Sequence, residues 1–390
     1  MIGLLDCNNF YVSCERLFNP KLLEKPVIIL SNNDGCVISR SEEAKQIGVK
    51  MGEPFFKLKK FITDHNISVL SSNYSFYGDI SNRIMNILKK NLPIVEVYSI
   101  DEAFFNLDLK NERDSFCDKL AKKILKWTGI PVSIGLAKTK TLAKIANRVI
   151  KKKSQYPYLK IDDHSIFELR SKKSADYILQ RTNVHDIWGI GGKLAKFLMD
   201  NGVNNAFDLR EFNESFARKK KGVVLQRSIL ELKGVICNEV EKESAKKKSI
   251  CVSRSFGMKL NAYEDIRSAL IVYVKKASSK MRDYNLFCKS ISIFLKTSNY
   301  QEKKYKNTKT YSFLEGTNDV RLIWNISEKL LKGIYLSNFL YSKVGVILSD
   351  FCDYKNIQKS LFHDENQGYY KKKSDSIKLM KIMDNINKKF

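Results

Sequence analysis

Apolar positions in this chain change period along its length, and each change predicts an element. "IGLLD" (2–6) and "PVIIL" (26–30) are unbroken apolar runs, which predict buried strands. "SNNDG" (31–35) is turn chemistry, and "CVIS" is a short strand. Ser39 with Glu42 resembles a capping box, and Gly48 can end the short helix it opens. From 77 to 92 the apolar residues fall at helical spacing, with Ile80, Ile84, Ile87 and Leu88 on one face. "VEVYS" and "AFFNLDL" predict two strands around a tight bend. A helix over 114–127, a buried strand "PVSIGLA" (131–137) and a helix over 139–152 follow. Residues 164–235 read as helical around a glycine-rich bend, "WGIGG" (188–192), and a polar link covers 241–248. From 249 to 351 the period alternates as β-α-β-β-α-β, a ferredoxin-like order that predicts a separate domain. The last forty residues read as a polar tail with a weakly amphipathic stretch near 377–390.

Composition narrows the class. With 390 residues, 43% of them hydrophobic, the chain is too long for one core and rich enough to bury several. Lys and Arg number 69 against 42 Asp and Glu, a formal net charge of +27. That surplus suits a polyanionic partner, nucleic acid before an acidic membrane, although basic solvated surfaces would account for it too. The eight cysteines form no C-x-x-C pair and the four histidines do not cluster near them, which argues against zinc and against a disulfide framework. The start meets Asp6 too early for a signal peptide, and no apolar run approaches the roughly 20 residues of a membrane span. The expectation is a cytoplasmic protein with no membrane partner.

The bend between the two predicted strands carries the first chemistry. In "YSIDEAFF" (98–105), Asp101 and Glu102 stand side by side within an apolar segment. Two such charges roughly 4 Å apart repel by about 4 kcal/mol at an effective dielectric of 20, so a fold protonates one, exposes both or places a cation between them. Asp6 ends another apolar strand. Three carboxylates at strand ends, without a nearby His, suit magnesium, and two such ions would perform phosphoryl or nucleotidyl transfer. The same spacing also fits ordinary turn residues and a strand cap.

Three further features bear on that choice. Lys138 to Lys153 holds seven basic residues and no acidic one, with Lys140, Lys144, Arg148 and Lys151 at helical spacing. This is either a solvated face or a surface for a triphosphate or a DNA backbone. "WGIGGK" places Gly189, Gly191, Gly192 and Lys193 between helical stretches 175–182 and 193–200. That is a helix-hairpin-helix pattern, whose glycines let backbone N–H groups approach phosphates without reading sequence. An ordinary glycine-capped turn is the alternative. Phe10 and Tyr11 follow Asp6 closely, as core aromatics or as a stack for a nucleotide sugar.

Together "LLDCNNFYVSCE", "SNNDGCVISRSEEAKQIGVKMGEPFF", "SSNYSFYGDISNRIM", "YSIDEAFF" and "IGLAKTKTLAKIANR" resemble the Y-family translesion DNA polymerases, from residue 1 to about 385 and in order. "LSNNDGCVISR" is similar to the UmuC type, the catalytic subunit of DNA polymerase V, and less like the polymerase IV type. The resemblance implies an α+β right hand with a ferredoxin-like palm (1–12 and 75–163), small fingers (13–74), a helical thumb (164–240), a linker (241–248), a β-α-β-β-α-β little finger (249–352) and a tail (353–390). It implies error-prone synthesis across lesions in an SOS-type DNA-damage response, on primer-template DNA with dNTPs and two magnesium ions. Carried over by position, Asp6, Asp101 and Glu102 ligate metal, joined by the Cys7 carbonyl. Tyr11 is the steric gate against a ribose 2′-OH, with Phe10 by the sugar. Lys45 and Lys151 hold the triphosphate, Val37 and Ile38 roof the nascent pair, and Gly189 to Lys193 lie on template-primer phosphates. "QKSLF" (358–362) resembles a sliding-clamp peptide anchored by Gln358, Leu361 and Phe362.

Two departures stand out. Asn8 replaces a second Asp found in other branches, a change the UmuC type shares. The chain ends at Phe390, short of the usual UmuC length, which bears on contacts to a processed UmuD-type subunit or RecA. The alternatives to a UmuC-type enzyme are a polymerase IV-type enzyme, which "SNNDG" argues against, and a non-catalytic scaffold on clamp and DNA, which the complete carboxylate set argues against.

Overall fold

The computed structural model describes residues 1–109, 112–159, 165–242, 247–353 and 367–389. The chain divides into two compact units, Met1–Ser244 and Ala245–Phe390, and the division falls inside the expected linker. Among the described residues no helix is long and apolar enough to cross a membrane.

The first unit opens with β1 (Ile2–Cys7) and α1 (Phe10–Phe18), then β2 (Val27–Leu30), β3 (Val37–Arg40), α2 (Glu42–Gln46), α3 (Phe55–Asp64) and β4 (Ser68–Ser71). Next come α4 (Tyr74–Asn91), β5 (Val95–Val97), β6 (Glu102–Asn106), α5 (Arg113–Thr128), β7 (Val132–Ala137), α6 (Lys140–Lys151) and β8 (Ile166–Glu168). Five helices complete it: α7 (Lys172–Arg181), α8 (Gly192–Met199), α9 (Ala206–Glu211), α10 (Glu214–Lys221) and α11 (Val223–Leu232).

A five-stranded sheet, ordered β5-β6-β1-β7-β8, is the frame of this unit. Its pleat sends Leu5 and Cys7 of β1 into a core with α4 and α5. Ile2 and Leu4 point the other way, into a second core built with α6 and the helices from α7 onward. Asp6 shares their parity, so it belongs to the α6 face. A small sheet, β3-β2-β4, packs its own core around Ile28, Leu30, Val37 and Leu58.

Three local expectations change. Ser41, not Ser39, caps α2, accepting a bond from the Ala44 N–H, because Ser39 is committed to β3 opposite Ile29. The side chain of Asn73 accepts from the Phe76 N–H and starts α4 three residues before the periodic run. The section read as helical from 164 begins with β8, which extends the large sheet in parallel with β7.

The second unit contains β9 (Ser249–Leu260), α12 (Tyr263–Asp283), β10 (Leu286–Thr297), β11 (Lys306–Thr317), α13 (Val320–Lys332), β12 (Tyr341–Asp353) and α14 (Gln367–Lys389). The β-α-β-β-α-β order is as predicted. The sheet runs β11-β10-β12-β9, every pair antiparallel, so the second and fourth strands of the unit are central. In a ferredoxin the first and third are central. The apolar faces of α12 and α13 cover one side of this sheet.

The tail is more ordered than its polarity suggests. Helix α14 buries Met380, and Asp384 takes a bidentate pair from Arg282 at 2.6 and 2.7 Å. Ser376 donates to Asp319 at 2.6 Å. Asp319 also caps α13 and receives bonds from Arg321. Burial alone would raise its carboxyl, but the bonds from Arg321 and Ser376 win and hold it at about 2. A carboxyl depressed in the fold adds stability that is present above its ordinary value and lost as pH falls through about 2. Asp319→Ala is therefore expected to lower the melting temperature at pH 7 and to flatten the loss of stability between roughly pH 4 and pH 2, as read by thermal scans across that range.

Candidate active site

The β1–β6 ladder pairs Asp6 directly with Glu102, so both side chains leave the sheet on the α6 face. Asp101 sits one residue earlier, on the bend. Ser99 holds that bend: its hydroxyl donates to the Asp101 carboxylate at 2.6 Å and accepts from the Glu102 N–H at 3.0 Å. The Cys7 N–H donates to the Asp101 carbonyl at 2.9 Å, and Ser81 bonds the Ile100 carbonyl at 2.5 Å. All three carboxylates line one cavity of about 520 Å³.

Lysines of α6 meet two of the carboxylates. Lys151 meets Asp6 at 2.5 Å, and Lys144 bonds both oxygens of Glu102 at 2.9 and 3.0 Å. Among the described residues no three His, Cys, Asp or Glu groups converge tightly enough to hold an ion. The donor set still fits a hard divalent cation: oxygens only, from residues the backbone ladder places together. Burial, with Glu102 and Asp101 adding to it and Lys151 partly offsetting it, pushes the Asp6 carboxyl up to about 6. Loss of water around the carboxylate is the largest cause of that rise. Burial raises the Cys7 thiol well above its ordinary value, so only its carbonyl remains as a candidate ligand. The Asn8 side chain accepts a bond at 2.9 Å from Ser133 of β7, which stands opposite Asp6 in the β1–β7 ladder.

The aromatic side of the cavity is ordered. Asn9 adopts a left-handed conformation (φ 49°) that turns β1 sharply into α1. The turn brings Tyr11 into the cavity that holds Asp6. Tyr11 stacks on Tyr77 with centroids 4.5 Å apart, Tyr74 meets it edge-on, and Phe10 lies behind it, almost fully buried. Strand β3 contributes Ile38 and Arg40 to the same cavity, and α2 contributes Lys45. Arg40 was not expected there. It donates to the Val49 carbonyl, and its Nε is buried with no bonding partner.

Several expected contacts change. Val37 is fully buried in the core of the small sheet, since neighbours on a strand face opposite sides, so Ile38 alone of that pair faces the cavity. Lys140 is not available to DNA: its ammonium is buried against Glu96 at 2.6 Å. Lys144 and Arg148 are likewise engaged, on Glu102 and on Asp186 at 2.5 Å. The basic stripe of α6 meets carboxylates of this chain, with Lys140 buried and Lys151 still exposed. Gly189 (φ 84°), Gly191, Gly192 and Lys193 are exposed at the bend leading into α8. Gln358, Leu361 and Phe362 lie outside the described residues.

Two couplings could not be read from the sequence. Glu231 of α11 is fully buried and accepts from the N–H and hydroxyl of Thr141 at 2.9 and 2.6 Å, in the first turn of α6. Its other oxygen accepts two bonds from Asn238, so α11 is bound to the helix that carries the site lysines. Trp188 donates to the Tyr98 hydroxyl at 2.9 Å across 90 residues of sequence.

The sheet, its carboxylate bend, Tyr11 in the same cavity and the glycine bend before α8 are together those of a right-hand DNA polymerase. The model of the impB/mucB/samB family matches residues 5–148, and that of its C-terminal domain matches 247–361. The chain is 40% identical to Protein UmuC of Salmonella typhimurium, covering all of this chain and 91% of that one. It is 37% identical to Protein SamB of the same organism (99% and 90%) and 26% identical to DNA polymerase IV of Clostridium kluyveri (100% and 95%). Among solved structures, a Y-family polymerase chimera of Dbh and Dpo4 aligns with a TM-score of 0.73 at 24% identity, over 90% of this chain and all of that one. An insertion ternary complex of Dbh DNA polymerase aligns at 0.58 with the same identity and coverage. The chain belongs to the impB/mucB/samB family, the UmuC branch of the Y-family translesion DNA polymerases.

Proposed function

We propose that this chain extends primer-template DNA with dNTPs across damaged bases, at a nucleotidyl-transfer centre formed by Asp6, Asp101 and Glu102. The observation that carries this reading is the direct β1–β6 pairing of Asp6 with Glu102, beside Asp101, in a cavity shared with Tyr11, Lys45 and Lys151. Y-family polymerases use divalent metal ions; here the three carboxylates and the Cys7 carbonyl would hold two magnesium ions. When bound, such ions activate the primer 3′-hydroxyl and stabilise the leaving pyrophosphate.

The remaining residues bind and select. Lys45 and Lys151 neutralise the triphosphate, and the Arg40 guanidinium at the cavity wall suits the same anion. Ile38 covers the nascent pair, and its small contact area tolerates distorted templates. Gly189, Gly191, Gly192 and Lys193 take backbone phosphates at the exposed bend. Tyr11, fixed by its stack on Tyr77, excludes a 2′-hydroxyl. Tyr11→Ala is expected to raise ribonucleotide insertion on the order of 10²-fold, with dNTP insertion less affected. Competition between rNTP and dNTP in single-nucleotide insertion measures this, and an unchanged ratio removes Tyr11 as the gate.

Gln358, Leu361 and Phe362 are the proposed anchors for the sliding clamp, the apolar pair entering a pocket. A processed UmuD-type subunit and RecA are the proposed activators, with the protein cytoplasmic and joining the nucleoid at damage. Primer extension across an abasic site tests the whole reading, with lanes for clamp, UmuD-type subunit and RecA and with Asp101→Asn as control. Extension by the wild type alone supports it. Bound DNA without extension in any lane favours a non-catalytic scaffold.

A further inference from the structure

Lys144 has surroundings that its bond to Glu102 does not require. Its ammonium lies 4.7 Å from the ring centre of Tyr98, 5.8 Å from Phe104 and 5.7 Å from Trp188. The three rings form a box. Tyr98 meets Phe104 and Trp188 nearly edge-on, at 5.5 and 5.7 Å, and Phe104 and Trp188 are 5.8 Å apart. The Trp188–Tyr98 hydrogen bond pins two of its walls. Ring faces attract an ammonium, and more strongly away from water. Lys140 reaches Phe104 too, but Glu96 holds it. The box is thus built around one cation, from β6, the bend before it and the glycine bend before α8.

A divalent ion on Glu102 would need the oxygens that Lys144 now occupies and would repel the ammonium beside them. We propose that Lys144 is the resident counter-cation of Glu102 and that the Tyr98–Phe104–Trp188 box receives its ammonium when a divalent cation takes the carboxylate. Metal arrival would then be transmitted to Trp188, the first residue of the bend assigned to DNA phosphates. Lys144 is a positioning residue in this scheme, since it acts through Glu102. The inference rests on the metal site proposed above.

The chain has three tryptophans, so Trp127→Phe with Trp324→Phe leaves Trp188 as the only tryptophan emitter in the full-length protein. The experiment titrates this protein with Mg²⁺ while recording emission, and counts bound Mn²⁺ by the loss of its free paramagnetic signal. The expected result is a saturable emission change over the Mg²⁺ range that displaces Mn²⁺. Lys144→Met should abolish that change and tighten Mn²⁺ binding by on the order of tenfold, because a competing cation is gone. Lys144→Arg should restore part of the response. Mn²⁺ bound with Trp188 emission unmoved overturns the inference and leaves the metal site standing, and the wild-type titration alone decides this even if Lys144→Met fails to fold. Mn²⁺ binding no tighter in a folded Lys144→Met also overturns it. No Mn²⁺ bound at all overturns the metal site, and this inference with it.

Discussion

Asp101→Asn is expected to lower the rate of nucleotide addition on the order of 10³-fold or more while leaving DNA affinity within about twofold. The substitution keeps the shape of the bend. The amide oxygen of the variant side chain can still accept the Ser99 hydroxyl that now lies 2.6 Å from the carboxylate, and the backbone bond from Cys7 to the Asp101 carbonyl is untouched. What disappears is one negative charge in a cluster of three. That charge is needed only when a divalent ion and the transferring phosphoryl group are present, so the loss belongs in the chemical step. On the proposed reading DNA affinity rests elsewhere, on the exposed bend before α8 and on the basic surplus of the chain. Single-turnover extension and a binding isotherm on the same preparation separate the two. Activity within tenfold of the wild type would remove Asp101 from the metal set.

Much of this centre was legible because its carboxylates lie at strand ends, where alternation and turn chemistry are strong signals. Local pattern put Asp6, Asp101 and Glu102 at strand ends and a bend, but it fitted turn residues and a strand cap as well, and only the resemblance gave them a metal. What could not be read is which charge faces which. The helical period put Lys140, Lys144, Arg148 and Lys151 on one side of α6, but not the fact that this side looks onto Glu96, Glu102, Asp186 and Asp6. Lys144 and Glu102 are 42 residues apart, and Trp188 and Tyr98 are 90 apart. Such pairs depend on register and crossover, which local pattern does not encode. Val37 and Ile38 show the limit at the smallest scale: a resemblance named both for one role, and the pleat allows one. Helix α14 was legible only in its second half, as the weakly amphipathic stretch near 377–390, for a different reason. Its polar sequence hides a helix whose described anchors are mostly ionic and hydrogen-bonded, through Asp384 and Ser376.

Gly135→Ala is expected to destabilise the first unit by about 3 kcal/mol or more, and to weaken nucleotide binding in whatever remains folded. Gly135 lies in β7 opposite Leu4, on the face that carries α6. A Cβ at this position would stand 2.3 Å from the Asn147 nitrogen, 2.4 Å from the Ala143 oxygen and 2.9 Å from the Asn147 Cα. These are backbone atoms of α6, so no rotamer change relieves the clash and the helix itself must move. Helix α6 carries Lys144 and Lys151, and Glu231 pins its first turn, so it cannot shift at one end alone. Gly3→Ala provides the contrast. The three atoms nearest its added methyl would all belong to the ring of Phe105, at 2.2 to 2.8 Å, a side chain and not a backbone. The two variants together distinguish backbone contact from ordinary overpacking. Thermal unfolding should show a larger drop for Gly135→Ala than for Gly3→Ala, with a rise in the KM for dNTP only in the former. Equal melting temperatures for Gly135→Ala and the wild type would mean that α6 does not pack directly on the β7 backbone, and the pairing of its lysines with Asp6 and Glu102 would fall with it.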